Sequence, residues 1–203
     1  MAALIQAAKA KDFPAEIAVV ISNRADAGGL ATARANGVPT LAIESKPFGK
    51  DRAAFEAVLQ SALDQHRIDL VCLGGFMRLF TAEFVQRWYG RMLNIHPSLL
   101  PAFPGLDPHG QALAAGVKIS GATVHFVIPQ TDAGPILMQG AVAVRDDDTP
   151  DTLAARILKI EHRIYPHALR LVASGMFRIE GDICKVEGSV GAGDTLISPA
   201  ASS

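Results

Sequence analysis

Short apolar runs alternate with helical stretches along the first half of the chain, and this rhythm restricts the fold more than any other feature. Residues 17–22 (Ile-Ala-Val-Val-Ile-Ser) form an apolar run short enough for a strand buried on both faces. An Ala-rich helical stretch, 26–36, stops at Gly37, and residues 39–44 form a second run. Residues 50–66 carry Phe55, Val58, Leu59 and Leu63 at helical spacing. A third run, 69–73, ends at Gly74-Gly75; Thr81 then caps a short helix holding Phe84 and Val85, and 92–96 is the fourth run. Strands separated by helices predict an α/β fold with a doubly wound, mostly parallel sheet.

The second half changes rhythm. Residues 119–127 and 136–144 are two strands joined by a loop with Pro129, Asp132 and Gly134, and so short a return is antiparallel. Thr149-Pro150-Asp151 opens a helix over 149–174, with Leu153, Ile157, Ile160 and Ile164 on one face. Pro166 predicts a bend, or a break near Tyr165. Residues 176–186 read as short returning strands, and residues 1–186 as a single domain. Residues 187–203, rich in Gly, Ser and Ala, read as a disordered tail.

Composition excludes several classes. About half of the 203 residues are hydrophobic (49%), enough for a substantial core, and the formal net charge is −1. So balanced a charge gives no electrostatic argument for a nucleic-acid or membrane partner, and no apolar run is long enough to span a bilayer. Cys72 and Cys184 sit in no paired motif, which suits two reduced thiols in a cytoplasmic protein. Residues 1–9 read as a helix with no strand before it, and Gly28-Gly29 reads as turn chemistry without the rest of a nucleotide fingerprint.

The candidate chemistry gathers around residues 94–101 (Asn-Ile-His-Pro-Ser-Leu-Leu-Pro). Side chains at i and i+2 of a strand share a face, so Asn94 and His96 emerge together at the carboxyl end of the fourth strand. The following prolines stiffen the exit loop. A donor amide beside a titratable ring is what carbonyl activation requires. The plainer alternatives are a strand-end turn residue for Asn94 and a backbone-satisfied buried ring for His96. Asp132 is either an ordinary turn residue or a carboxylate that keeps His96 charged and relays its proton. His125, inside a strand, reads as a core histidine. His109 fits a helix start or the rim of a site. A metal centre is disfavoured, since these spacings match no usual zinc signature. Residues 76–80 line a flat apolar pocket or belong to ordinary core. Arg52 and Glu161 read as solvated helix residues.

Several of these pieces together resemble the folate-dependent phosphoribosylglycinamide formyltransferase family of purine biosynthesis. The likeness rests on residues 75–78 (Gly-Phe-Met-Arg), the 94–101 block, Pro104-Gly105-Leu106, and residues 121–126 (Gly-Ala-Thr-Val-His-Phe). Residues 132–135 (Asp-Ala-Gly-Pro) and 161–166 (Glu-His-Arg-Ile-Tyr-Pro) continue it, in order, over nearly the whole chain. The resemblance implies formyl transfer from the co-substrate 10-formyltetrahydrofolate to the amine of glycinamide ribonucleotide. It implies no metal, small-molecule partners and a monomer or homodimer. Asn94, His96 and Asp132 would be catalytic. Arg52, Met77, Arg78, Leu79, Phe80, Asn94, Ile128, Pro129, Gln130, Thr131 and Asp132 would surround the folate, and Glu161 would contact the ribonucleotide. His109 and His125 would stand at the rim.

The likeness also implies departures. Members of that family begin with a strand and a Gly-Ser-Asn type phosphate loop, whereas Met1 here aligns just past that loop. The first strand is therefore expected to be missing, two neighbouring strand edges to be exposed, and this polypeptide to bind the ribonucleotide poorly. Pro129 and Thr131 are smaller departures in the loop before Asp132. Formyltetrahydrofolate hydrolase and an inactive folate-binding remnant are the competing readings.

Overall fold

Each apolar run of the first half becomes a strand shorter than the run itself. The computed structural model describes residues 1–187; the segment 188–203, most of the expected tail, lies outside the described residues. Helix α1 (Ala2–Ala8) is followed by β1 (Val20–Ser22), α2 (Gly28–Ala35), β2 (Thr40–Ala42), α3 (Arg52–Gln65), β3 (Val71–Cys72), α4 (Ala82–Arg87) and β4 (Met92–His96). Then come α5 (Pro108–Ala114), β5 (Ile119–Phe126), β6 (Ile136–Ala143), α6 (Pro150–Ala173) and the hairpin β7 (Phe177–Glu180) and β8 (Ile183–Val186). Side-chain caps set the helix starts: Asp51, Thr81, Asp107 and Thr149 accept from the amides of Ala54, Phe84, Gly110 and Thr152.

β1 and β2 pair in parallel, as do β3 and β4. β5 runs antiparallel between β4 and β6, so the fold is α/β with parallel and antiparallel parts. Successive residues of β4 face opposite ways: Met92 packs with Phe55, Leu59, Leu63, Phe84 and Trp88, while Leu93 packs with Val124, Phe126, Leu153, Ile157 and Leu169. The sheet therefore has an apolar layer on each face.

Besides the β7–β8 hairpin, the expected single sheet divides into two hydrogen-bonded sheets, with a cavity of about 1220 Å3 whose walls include β1 and β3. The Val20 amide donates to Pro39 and the Ser22 carbonyl accepts from Ile43, so both turn toward β2. Val71 and Leu73 donate to Arg91 and Leu93, toward β4. Backbone direction alternates along a strand, so Ile21 and Cys72 turn their N–H and C=O groups the other way, into the cavity. These are the two exposed strand edges the resemblance implied.

Of the bend or break expected at Pro166, α6 shows no break. It runs unbroken from Pro150 to Ala173 with Pro166 inside. Ile164, Tyr165, Ala168, Leu169 and Val172 are buried around the proline, and that packing holds the helix across the missing amide hydrogen bond. Tyr165 also ties α6 to the site end of the sheet, its hydroxyl lying 2.7 Å from the Leu73 carbonyl and 3.2 Å from that of Leu93. Among the described residues no helix is long and apolar enough to cross a membrane.

Candidate active site

β4 delivers Asn94 and His96 to one face, and antiparallel pairing sets His125 opposite Asn94 and Thr123 opposite His96. The loop between β5 and β6 then brings Asp132 over the same spot. His96 Nδ1 lies 3.5 Å from Asp132 Oδ2, and both side chains are almost entirely buried. Asp132 itself adopts φ +52°, in the left-handed region. Its loop returns so tightly that a Cβ at Gly134 would run into the Phe126 carbonyl oxygen, and only glycine fits there.

The exit loop after β4 closes the arrangement. The Gly105 amide donates to Asp132 Oδ2 at 2.9 Å, and His96 Nε2 lies 2.9 Å from the Phe103 carbonyl oxygen. One ring nitrogen of His96 is thus hydrogen-bonded to a backbone carbonyl, and the other faces a carboxylate oxygen. The loop is held from below. Thr123 Oγ1 donates to the Ser98 carbonyl and accepts from the Leu100 amide, and Gln139 Nε2 reaches both Thr123 Oγ1 and the Leu100 carbonyl.

His125 is neutral by geometry and by environment. Its Nδ1 donates to the Phe126 carbonyl at 2.9 Å, so Nε2 accepts from Asn94 Nδ2 at 3.3 Å. Burial lowers its pKa in the same direction. His125 therefore fixes which way the Asn94 amide points, and its Nε2 stands 3.9 Å from Asp132 Oδ1. His109, in the first turn of α5, also has its pKa lowered by burial, and its Nε2 is buried without a hydrogen-bond partner.

The remaining candidates spread around this centre. Glu161 on α6 lines a 220 Å3 cavity with Gly74, Gly75, Ile95 and His162; burial raises its pKa, opposed by the charges of His162, the N-terminus and His96. Met77 and Leu79 are 73% and 60% exposed, while Phe76 and Phe80 pack into the core layer between them. Arg78 donates to the Gly49 carbonyl, its guanidinium 5.3 Å from the Phe55 ring centre. Ile128 is half-buried, whereas Pro129, Gln130 and Thr131 are exposed on the loop leading to Asp132. Arg52 is exposed at the first turn of α3, and no hydrogen bond or ion pair joins it to Asn94, His96 or Asp132. Among the described residues, no group of three or more His, Cys, Asp or Glu side chains is placed to hold a metal ion.

Sequence reasoning missed the backbone partners at Phe103 and Gly105 and the Thr123–Gln139 brace. The register of β4 against β5 would have pointed to Thr123, because it is the residue facing His96. Nothing in the sequence signals a carbonyl acceptor.

The sequence model described as "Formyl transferase" matches residues 1–169. The chain is 48% identical over 186 residues to the trifunctional purine biosynthetic protein adenosine-3 of Bos taurus, covering 91% of this chain and 18% of that protein. It thus spans under a fifth of that relative's length. It is 39% identical over 186 residues to the phosphoribosylglycinamide formyltransferase of Escherichia coli (strain K12), covering 92% of this chain and 87% of the relative. The crystal structure of glycinamide ribonucleotide transformylase 1 from Symbiobacterium toebii superposes with a TM-score of 0.88 at 47% identity, covering 92% and 87% of the two chains. The α/β fold and these likenesses agree, and the chain belongs to the phosphoribosylglycinamide formyltransferase family of formyl transferases.

Proposed function

We propose that this chain transfers the formyl group of 10-formyltetrahydrofolate to the primary amine of glycinamide ribonucleotide. The observation that carries the reading is the convergence of the Asn94 amide, the His96 ring and the Asp132 carboxylate, with His96 and Asp132 3.5 Å apart. The amine lone pair attacks the formyl carbon, and the carbonyl π pair moves onto oxygen as a tetrahedral oxyanion. Asn94 Nδ2 and His96 donate to that oxygen, the His96 Nε2 proton passing from the Phe103 carbonyl to the substrate. Asp132 keeps the ring charged and takes the proton lost by the attacking nitrogen, directly or through water. Collapse of the intermediate breaks the bond to the folate nitrogen, which leaves with a proton. No covalent bond to the enzyme forms.

In this reading Met77 to Phe80, Ile128 to Thr131 and Arg52 border the folate, and Glu161 meets the ribonucleotide. The family likeness supports the assignment, as do the exposed apolar side chains of Met77 and Leu79 and the cavity that Glu161 and His162 line. A cytoplasmic setting fits the two free thiols; burial pushes Cys72 up to about 11 and keeps it an inert thiol.

The test is consumption of 10-formyltetrahydrofolate with and without glycinamide ribonucleotide, with formate followed alongside. The reading predicts consumption that requires the ribonucleotide and yields its N-formyl product. Formate release at the same rate without the ribonucleotide would establish water as acceptor, and no consumption in either condition would refute the reading outright.

A further inference from the structure

Glu56 is a buried carboxylate that the chemistry above does not use. It sits in the second turn of α3, 5% exposed, inside an apolar layer. A charge in such a place is costly unless every oxygen is bonded. Both of its oxygens are spent on one residue: Oε1 accepts the Thr81 amide at 2.6 Å, and Oε2 accepts the Thr81 hydroxyl at 2.5 Å. Thr81 in turn caps α4 and ends the loop that carries Met77 and Leu79.

The neighbouring residue on α3 holds the other part of that loop. Phe76 stacks on Phe55 with ring centres 6.4 Å apart, and Phe80 stacks on Phe76 at 4.9 Å. α3 therefore grips the loop at two points, by an aromatic stack at Phe76 and by a doubly bonded carboxylate at Thr81. Between the grips the chain alternates, Phe76 and Phe80 inward, Met77 and Leu79 outward. A slip of one residue at Thr81 would reverse that alternation.

We infer that Glu56 is a positioning residue for the folate-facing loop: its two bonds to Thr81 fix which side chains the loop offers to the ligand. The inference rests on the reading that Met77 and Leu79 border the folate. Glu56 touches neither reactant, so its effect appears in folate binding and not in the chemical step.

The experiment compares Glu56→Gln, Thr81→Val and Met77→Ala with the wild-type full chain. KM for 10-formyltetrahydrofolate, KM for the ribonucleotide, kcat and the thermal midpoint are measured for each. Glu56→Gln leaves a donor amide facing the donor groups of Thr81, so the folate KM is expected to rise about tenfold, the loss of one charge-assisted bond. The ribonucleotide KM and kcat are expected to stay within about twofold, since neither reactant loses a contact. Should Glu56→Gln fail to fold, Thr81→Val keeps the carboxylate bonded at the amide, and a folate-specific rise of about threefold is expected from losing one of the two bonds. An unchanged folate KM in the folded variants overturns the inference, as does a parallel change in both KM values and kcat. Met77→Ala separates the two levels. If it raises the folate KM and Glu56→Gln does not, only the positioning role fails; if it leaves the folate KM unchanged, the folate assignment of the loop fails too.

Discussion

Every group around His96 is fixed by something else. Its ring spans from the Phe103 carbonyl to Asp132, Asp132 is fastened by the Gly105 amide, and the Asn94 amide is turned by His125. The i, i+2 pairing of Asn94 and His96 was legible from a strand ending in prolines. The meeting with Asp132 was legible only as one of two alternatives, because 36 positions of chain separate it from His96 and local pattern carries no such distance; the family likeness favoured it over an ordinary turn. Glu161 carries a prediction at this scale. Its pKa is raised in the folded state, so the folded protein holds that proton more tightly than the unfolded chain does. Its contribution to stability is complete below the unfolded value and is lost as pH rises through the folded one. Glu161→Gln, always neutral, is therefore expected to raise the thermal midpoint at pH 7 by roughly 1–3 °C, with the gap closing below about pH 4. A midpoint difference that persists unchanged at acid pH would show that burial of the charge is not its cause.

Among the elements, α6 and α5 show where local rules lose. Pro166 argued for a bend or a break, and no break forms: α6 buries an apolar stripe on both sides of it, and tertiary packing outweighs one missing amide bond. Substituting Pro166→Ala restores the donor and removes the ring. The urea midpoint is expected to rise by the equivalent of about 1 kcal/mol, part of the proline cost in a helix interior. A fall would mean that the proline ring packs productively. α5 is the converse: seven residues with a proline and a glycine give little helical signal, and the helix forms because Asp107 caps it and Pro108 and Ala112 are buried. The strands were legible in place and order, but their lengths were not. Residues 17–21 are apolar throughout, yet only Val20–Ser22 finds a partner, in β2.

Across the whole molecule, alternating runs and helices specified an α/β fold, and the short return after Phe126 specified its antiparallel part. The division into two sheets was legible only through the family likeness, because hydrophobicity says that a strand is buried and not which neighbour it bonds. β1 and β2 form a two-stranded parallel pair, whereas β4 and β5 lie inside a four-stranded sheet. Two strands open more readily than four. Hydrogen exchange is expected to show the Val20 amide, bonded to Pro39, exchanging faster than the amides of Leu93 and Val124, and the cavity-facing amides of Ile21 and Cys72 exchanging faster still. Equal protection across both sheets would mean that the cavity walls are bridged.

The convergence of His96 and Asp132 on one formyl carbon is tested most directly by a double-mutant comparison of kcat. His96→Ala and Asp132→Asn, each alone, are expected to lower kcat by about 100-fold or more, and the double variant by little more than the larger single loss, because the two groups act as one unit. Losses that multiply would show two independent groups, and a single variant that keeps wild-type kcat would remove that residue from the reaction.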